Sequence, residues 1–350
     1  MKTWSEHLEL TRPYTIAYKT VEAVENVFVY LETSNGLFGV GAGSPAEFVT
    51  GESITACKEA LKDKLERLLV GRDIRMRNSI CRYIEQEMPE TPAARCAIDI
   101  ALHDLLAKHL RIPLVDLLGR SYHSLPTSIT IGIKSLEETL EEAEEYEGRG
   151  FKIIKLKIGQ SVDEDIEITR KLREKVGSQM GIRVDANQGY SPADLTKYAK
   201  ETADLNLELI EQPAPKDQPA DMLEVSEDIR EICAGDESMQ VPEDALAFAA
   251  HPQPFGIYNI KLMKCGGVHS ALRIAEIANL AGIDLMWGCM DESIISISAA
   301  LHAALASPAT RYIDLDGSLD LARDLVSGGF VLKDGYMSVS NEPGLGVTLL

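Results

Sequence analysis

From about Leu125 onward, short apolar runs alternate with charged stretches whose apolar positions recur at helical spacing. ITIGI (129–133) precedes LEETLEEAEEY, IIKLKIG (153–159) precedes VDEDIEITRKLREKV, and IRVDA (182–186) precedes SPADLTKYAKETA. The series continues through LELIEQ (207–212), EICAGDE (231–237), GIYNIKLMK (256–264), IDLMWGC (283–289) and RYIDLDG (311–317). Eight β-type runs, each followed by helical or connecting sequence, predict a parallel sheet closed into a barrel. The first third has a different rhythm. Residues 25–43 hold two β-type runs around Ser34-Asn35-Gly36, a hairpin signal. Residues 52–69 and 91–110 carry helical patterns, and Pro113 and Gly119 end that region. Residues 328–350 return to hairpin-like sequence. The expected domains are an α+β unit over residues 1–122, a barrel over 123–322, and a segment 323–350 folding back onto the first unit.

Composition narrows the function. The chain has 350 residues, 45% hydrophobic and 26% charged, an ordinary globular mix able to bury a large core. No run approaches the ~18 apolar residues of a membrane span. MKTWSEHLEL is too polar for a signal peptide, so a cytoplasmic protein is expected. A net charge of −20 opposes nucleic acid and membrane surfaces as partners. Cys57, Cys81, Cys96, Cys233, Cys265 and Cys289 form no CxxC pair and read as reduced, mostly buried thiols.

One polar residue stands at the C-terminal end of each of five successive predicted strands: Lys157, Asp185, Glu211, Asp236 and Lys261. Their spacings of 28, 26, 25 and 25 residues are one βα unit each. Barrel active sites lie at that face, so the spacing aims all five into one mouth. Singly, a strand-end acid reads as a helix cap and a strand-end lysine as solvated. Together, three carboxylates without histidine make a hard oxygen site suited to one Mg²⁺. A substrate carboxylate at that ion would place its α-carbon between Lys157 and Lys261, whose opposed positions suit racemisation or epimerisation. A lysine base must be neutral, although free lysine titrates at about 10.4. Lys155, on the same strand face as Lys157, is a candidate tuner of that titration. Asn187 and Glu237 read equally as support for the site or as structural residues. Lys264 reads as a surface or salt-bridge residue.

With these residues in place, the chain resembles the enolase superfamily in its muconate-lactonising subgroup. The matching pieces are KLK (155–157), VDANQGY (184–190), IEQP (210–213), GDES (235–238), NIKLMKCGG (259–267), residues 93–119, and PGLG (343–346). The resemblance implies a modified (β/α)8 TIM barrel with an α+β N-terminal capping domain that closes over its mouth. It also implies Asp185, Glu211 and Asp236 as Mg²⁺ ligands, Lys157 and Lys261 as the acid/base pair, and Lys155 as their helper. Barrels of this kind often assemble, so a homo-oligomer is expected.

The eighth strand bears on the substrate. Asp314 and Asp316 in YIDLDG lie two apart, so both should face one way and could hold a cation. The pair is similar to the DxD motif of dipeptide epimerases, which implies a dipeptide held by its α-ammonium. The bland alternative is a strand-end turn. Thr130 is a further candidate contact. Asp291 and Glu292 after strand seven, with Glu47 and Glu52 in a cap loop, favour basic side chains on the dipeptide. Lys19 pulls the other way, towards an acidic side chain, or is simply solvated; Ala46 beside Glu47 also weakens the basic reading. Rival readings are an N-acylamino acid racemase/o-succinylbenzoate synthase, a muconate cycloisomerase, and a barrel that binds ligands without catalysis.

Overall fold

The computed structural model describes residues 1–16 and 19–350, with the side chains of residues 14–20 outside that description. β1 (Lys2–Ile16), β2 (Lys19–Glu32) and β3 (Phe38–Gly43) form an antiparallel sheet in that order. The Asn-Gly signal does mark the β2–β3 turn: Gly36 takes φ 83°, and Thr33 N–H donates to Leu37 O at 2.9 Å. β1 was not anticipated. Only Leu8 and Leu10 of residues 2–10 are buried, and the polar residues around them mask the alternation.

Packing in this sheet is set by small residues. Helix Pro92–Leu110 lies across β3 with Ala93, Ala97 and Ala101 spaced four apart, on one face. A Cβ on Gly41 would sit 1.9 Å from Ala97 O, and one on Gly39 2.3 Å from Ala101 O. Strand and helix backbones therefore touch, which only glycine allows. Two of the helix's free N-terminal amides are covered by a side chain from the loop after β3. Glu52 accepts from Ala93 N at 2.5 Å and Ala94 N at 3.2 Å.

After a short β4 (Ser124–Pro126) come eight parallel strands. They are β5 (Ile129–Ile131), β6 (Ile153–Lys157), β7 (Gly181–Asp185), β8 (Leu209–Glu211), β9 (Cys233–Gly235), β10 (Ile257–Ile260), β11 (Asp284–Trp287) and β12 (Thr310–Ile313). Each hydrogen-bonds to the next in chain order. A parallel bridge from Thr127 to Ile313, with Ser128 N–H on Ile313 O at 3.3 Å, brings the two edges together. This is the modified barrel. The modification is visible at the last unit: residues 314–325 turn instead of forming a helix, and Leu321 bridges back to Leu10 of β1.

Four final strands follow: β13 (Val326–Gly328), β14 (Phe330–Lys333), β15 (Tyr336–Val339) and β16 (Val347–Leu349). β13 pairs with β16, and β14 and β15 extend β4. Between β15 and β16, Gly344 O accepts from Leu114 N at 2.8 Å and Leu345 N donates to Asp104 Oδ1 at 2.9 Å. All six cysteines are unpaired; five are buried and Cys289 partly so. Among the described residues no helix is long and apolar enough to cross a membrane.

His302 lies under this C-terminal segment, its Nδ1 accepting from Val115 N at 2.9 Å. Burial holds its imidazole down, to about 4 from 6.5, although Leu345 O opposes the shift. In the unfolded chain the ring protonates first as pH falls, so this stability is complete above pH 6.5 and is lost towards about pH 4. Denaturant melts across that window should lose about 3 kcal/mol more in the native chain than in His302→Asn.

Candidate active site

The strand register assembles the site. Lys157 ends β6, opposite Asp185 at the end of β7, which is in turn opposite Glu211 at the end of β8. Asp236 and Lys261 each stand one residue past β9 and β10. Thus all five residues chosen from spacing do reach one mouth. Asp185, Glu211 and Asp236 are buried, with Asp236 the most exposed at 1%.

Lys155 lies deeper in the barrel, one pleat below Lys157. Its ammonium pairs with Asp185 at 3.3 Å, Glu211 at 2.6 Å and Asp314 at 2.8 Å. Lys157 Nζ donates to Asp185 Oδ2 at 2.6 Å and to Asn187 Oδ1 at 3.1 Å. Lys261 Nζ donates to Asp236 Oδ2 at 2.7 Å. Asn187 accepts from Lys157 and donates to Glu237 Oε1 at 3.4 Å, so the two residues that read equally as support or as structure are bonded to each other, and one of them to Lys157. Asn187 does so from φ 41°, with Gln188 at 70° and Gln212 at 33°: three non-glycine residues in the left-handed region just after β7 and β8. Gln212 uses that conformation to accept from Asp236 N at 2.8 Å and Ser238 N at 3.1 Å, fixing the loop after β9.

Lys264 is not a surface residue. It is 1% exposed and pairs with Asp236 Oδ1, with Asp236 O at 2.5 Å and Asn259 O at 3.0 Å. The short turn Leu262–Cys265 after β10 swings it inward, a geometry the strand pattern did not reveal. Of the two readings offered by the sequence, the ion-pair one applies. Asn259, which donates to Glu211 Oε1 at 2.7 Å, also escaped notice because nothing but its inward strand position marks it.

The electrostatics follow from burial and crowding. Burial pushes Glu211 up, and repulsion from Asp185 adds to it, to about 8 despite Lys155 nearby. Burial and the charge of Asp236 push Glu237 up to about 7. Burial alone would raise Asp236, but Lys261 and Lys264 hold it well below the usual carboxylate range. Burial opposes the charge of Lys155, yet Asp314, Glu211 and Asp185 keep it firmly cationic, with a titration point raised well above that of free lysine.

Three buried carboxylates on adjacent strand ends, one of them destabilised as an anion by its neighbour, form a donor set that fits a hard divalent cation. Among the described residues no three such side chains converge on one point; each is turned onto an ammonium. Coordination would need Asp185, Glu211 and Asp236 to rotate off Lys155, Lys157 and Lys261.

The mouth opens into a cavity of about 660 Å³ lined by Thr130, Lys155, Lys157, Lys261, Asp314 and Asp316, and by the cap loop. β12 ends at Ile313, so the two aspartates stand on a turn and are not equivalent. Asp314 is taken up by Lys155 and by Ser128 Oγ at 2.6 Å. Asp316 is the accessible member, braced by Thr130 N–H on Oδ2 at 2.8 Å. Burial and the charge of Asp314 push it up to about 7. Asp291 and the exposed Glu47 also face the cavity. Two other acids expected there are structural. Glu52 is spent on the helix end described above, and Glu292 folds back to accept from Met290 N at 2.7 Å. The side chain of Lys19 lies outside the described residues.

Comparison with known proteins agrees with this architecture. Residues 1–119 match the N-terminal domain of mandelate racemase / muconate lactonizing enzyme, and residues 138–350 match an enolase C-terminal domain-like model. The chain is 57% identical to an L-Lys-D/L-Arg epimerase of Desulforapulum autotrophicum, over 98% of this chain and 97% of that protein. It is 51% identical to an L-Lys-D/L-Arg epimerase of Methylococcus capsulatus, over 98% and 96%. A crystal structure of a dipeptide epimerase from Methylococcus capsulatus complexed with Mg and L-Arg-D-Lys superposes with a TM-score of 0.98, covering 99% of this chain and 98% of that one.

A divalent cation at Asp185, Glu211 and Asp236 should stabilise the fold. Mg²⁺ at a hundred times its dissociation constant is expected to add about 2.7 kcal/mol, read as a rise in Tm. Asp236→Asn should abolish that rise; an undiminished rise would place the ion elsewhere.

Proposed function

We propose that this chain, which belongs to the mandelate racemase / muconate lactonizing enzyme family of the enolase superfamily, is an isomerase that epimerises the C-terminal residue of dipeptides. The observation that carries the reading is the sharing of one cavity by Lys157, Lys261 and Asp316. The pair of lysines serves a carbon acid; the aspartate serves a cation. A dipeptide offers both, an α-ammonium at one end and an α-proton beside a carboxylate at the other.

Mg²⁺, when bound, supplies the positive charge that stabilises the enolate dianion formed from a carboxylate. The remaining chemistry belongs to the side chains. Asp316 holds the ammonium, with Asp314 behind it tied to Lys155. Lys157 and Lys261 take roles on opposite faces of the α-carbon. One removes the proton as a neutral amine; the other, protonated, delivers its own to the opposite face. Lys155 stays cationic between Asp185, Glu211 and Asp314, two residues before Lys157 on the same face of β6. Asn187, just after the adjoining strand β7, orients Lys157 by a direct hydrogen bond, and Glu237, after β9, accepts in turn from Asn187.

For side chains, the reading is a cationic dipeptide. Asp291 and Glu47 are among the acids that line the cavity, and the relatives named for Lys and Arg substrates support the same preference. A substrate with an N-acyl group in place of the ammonium would set an uncharged or anionic group against Asp316, which disfavours the N-acylamino acid racemase and cycloisomerase readings.

Incubated in D₂O with Mg²⁺, the protein should incorporate one deuterium at the C-terminal α-carbon of L,L-dipeptides, fastest with basic side chains, as read by mass spectrometry. No exchange on any dipeptide, alongside turnover of succinylbenzoate precursors, would overturn the proposal. Lys261→Ala should lose epimerisation by at least about a hundredfold; epimerisation at the native rate would break the two-base assignment.

A further inference from the structure

The cavity carries acid on two separate walls. One consists of the loop after β11 and the cap loop, with Asp291 and Glu47. The other consists of the turn after β12 and the first barrel helix, Leu136–Gly148, and includes Asp320. Asp320 is half-buried, and its main chain is pinned. Asp320 O accepts Thr11 N at 2.7 Å and Thr11 Oγ1 at 3.1 Å, and Ala322 N donates to Glu9 O at 2.8 Å. A turn closed by Leu319 N on Asp316 O at 2.8 Å places it immediately after that turn, four residues from Asp316. Its position is therefore fixed by backbone bonds to β1, as a recognition group requires.

The cations around it are committed elsewhere. Arg12 donates to Glu142 at 3.0 Å and to both oxygens of Glu145 at 3.0 and 2.9 Å. Lys134 pairs with Glu142, which also accepts from Tyr146 Oη at 2.7 Å. None of these groups bonds the Asp320 carboxylate, and no other described residue does so either. Burial raises its titration point, with Arg12 opposing. Among the described residues it is an acid facing the cavity with no charge partner in contact.

We propose that Asp320 is a specificity residue that accepts the cationic side chain of the dipeptide's N-terminal residue. The inference rests on the dipeptide reading above. The N-terminal α-carbon carries both the ammonium and a side chain, so the group adjoining Asp316 on the same wall reads that side chain. The opposite wall, with Asp291 and Glu47, is left for the C-terminal one. The two preferences are separable, each with its own acid.

The test uses the Mg²⁺-loaded protein and kcat/KM for L-Arg-L-Lys, L-Ala-L-Lys and L-Arg-L-Ala. The native chain should prefer L-Arg-L-Lys over L-Ala-L-Lys. Asp320→Asn should cut that preference about fivefold, the scale of one half-buried ion pair, and Asp320→Glu should retain it. The ratio of L-Arg-L-Lys to L-Arg-L-Ala should move less than about twofold in Asp320→Asn. An unchanged first ratio in Asp320→Asn, or equal shifts in both ratios, overturns the assignment while the epimerase reading stands. Native protein that turns over no dipeptide removes that reading and this inference together.

Discussion

One buried ammonium organises the interior of the barrel mouth. Lys155 Nζ touches carboxylates from β7, from β8 and from the turn after β12, and so joins strands two, three, four and eight of the ring. Without it, Asp185, Glu211 and Asp314 would lie together as uncompensated buried anions, and breaking such a set costs about 3–5 kcal/mol. The same charge stands in the cavity that Lys157 and Lys261 share with Asp316. The contact that stabilises the acids thus also ties the turn carrying Asp316 to the strand ends carrying the two lysines.

The acids around this centre divide by what holds them. Asp236 is gripped from both sides by Lys261 and Lys264 and stays ionised. Glu211 and Glu237, buried and then crowded by other carboxylates, are pushed towards neutrality. Residue type alone does not set these states; the count of ammonium groups within reach does. A strand-end position can thus hold a firmly charged carboxylate on one strand and a reluctant anion on the next.

Much of this was legible in the sequence, for a definite reason. A βα unit has a nearly fixed length, so residues one unit apart land at equivalent strand ends, and Lys157, Asp185, Glu211, Asp236 and Lys261 could be placed together by spacing. Contacts between loops have no such period. Glu52 and Glu292 look like pocket acids in the sequence, and only the fold shows them bonded to nearby backbone amides. Lys264 looks solvated until the turn after β10 is seen to point inward. Asp320 carries no signal, because its place depends on pairing with β1 more than three hundred residues earlier. β1 itself was missed because its exposed face is polar and few of its residues are buried.

The spent carboxylate of Glu52 has a mechanical consequence. It moors the far end of the cap loop to the start of helix Pro92–Leu110, while Ser44 moors the near end to Asp291 O at 2.9 Å and to Met263 Sδ at 3.1 Å. Glu47 and Phe48 ride on the short helix Glu47–Thr50 between these two posts, and Gln240 Nε2 adds a third tie at Val49 O, 3.2 Å away. The rim of the cavity on this side is thus pinned at three places within nine residues, so the loop can shift only as one short block.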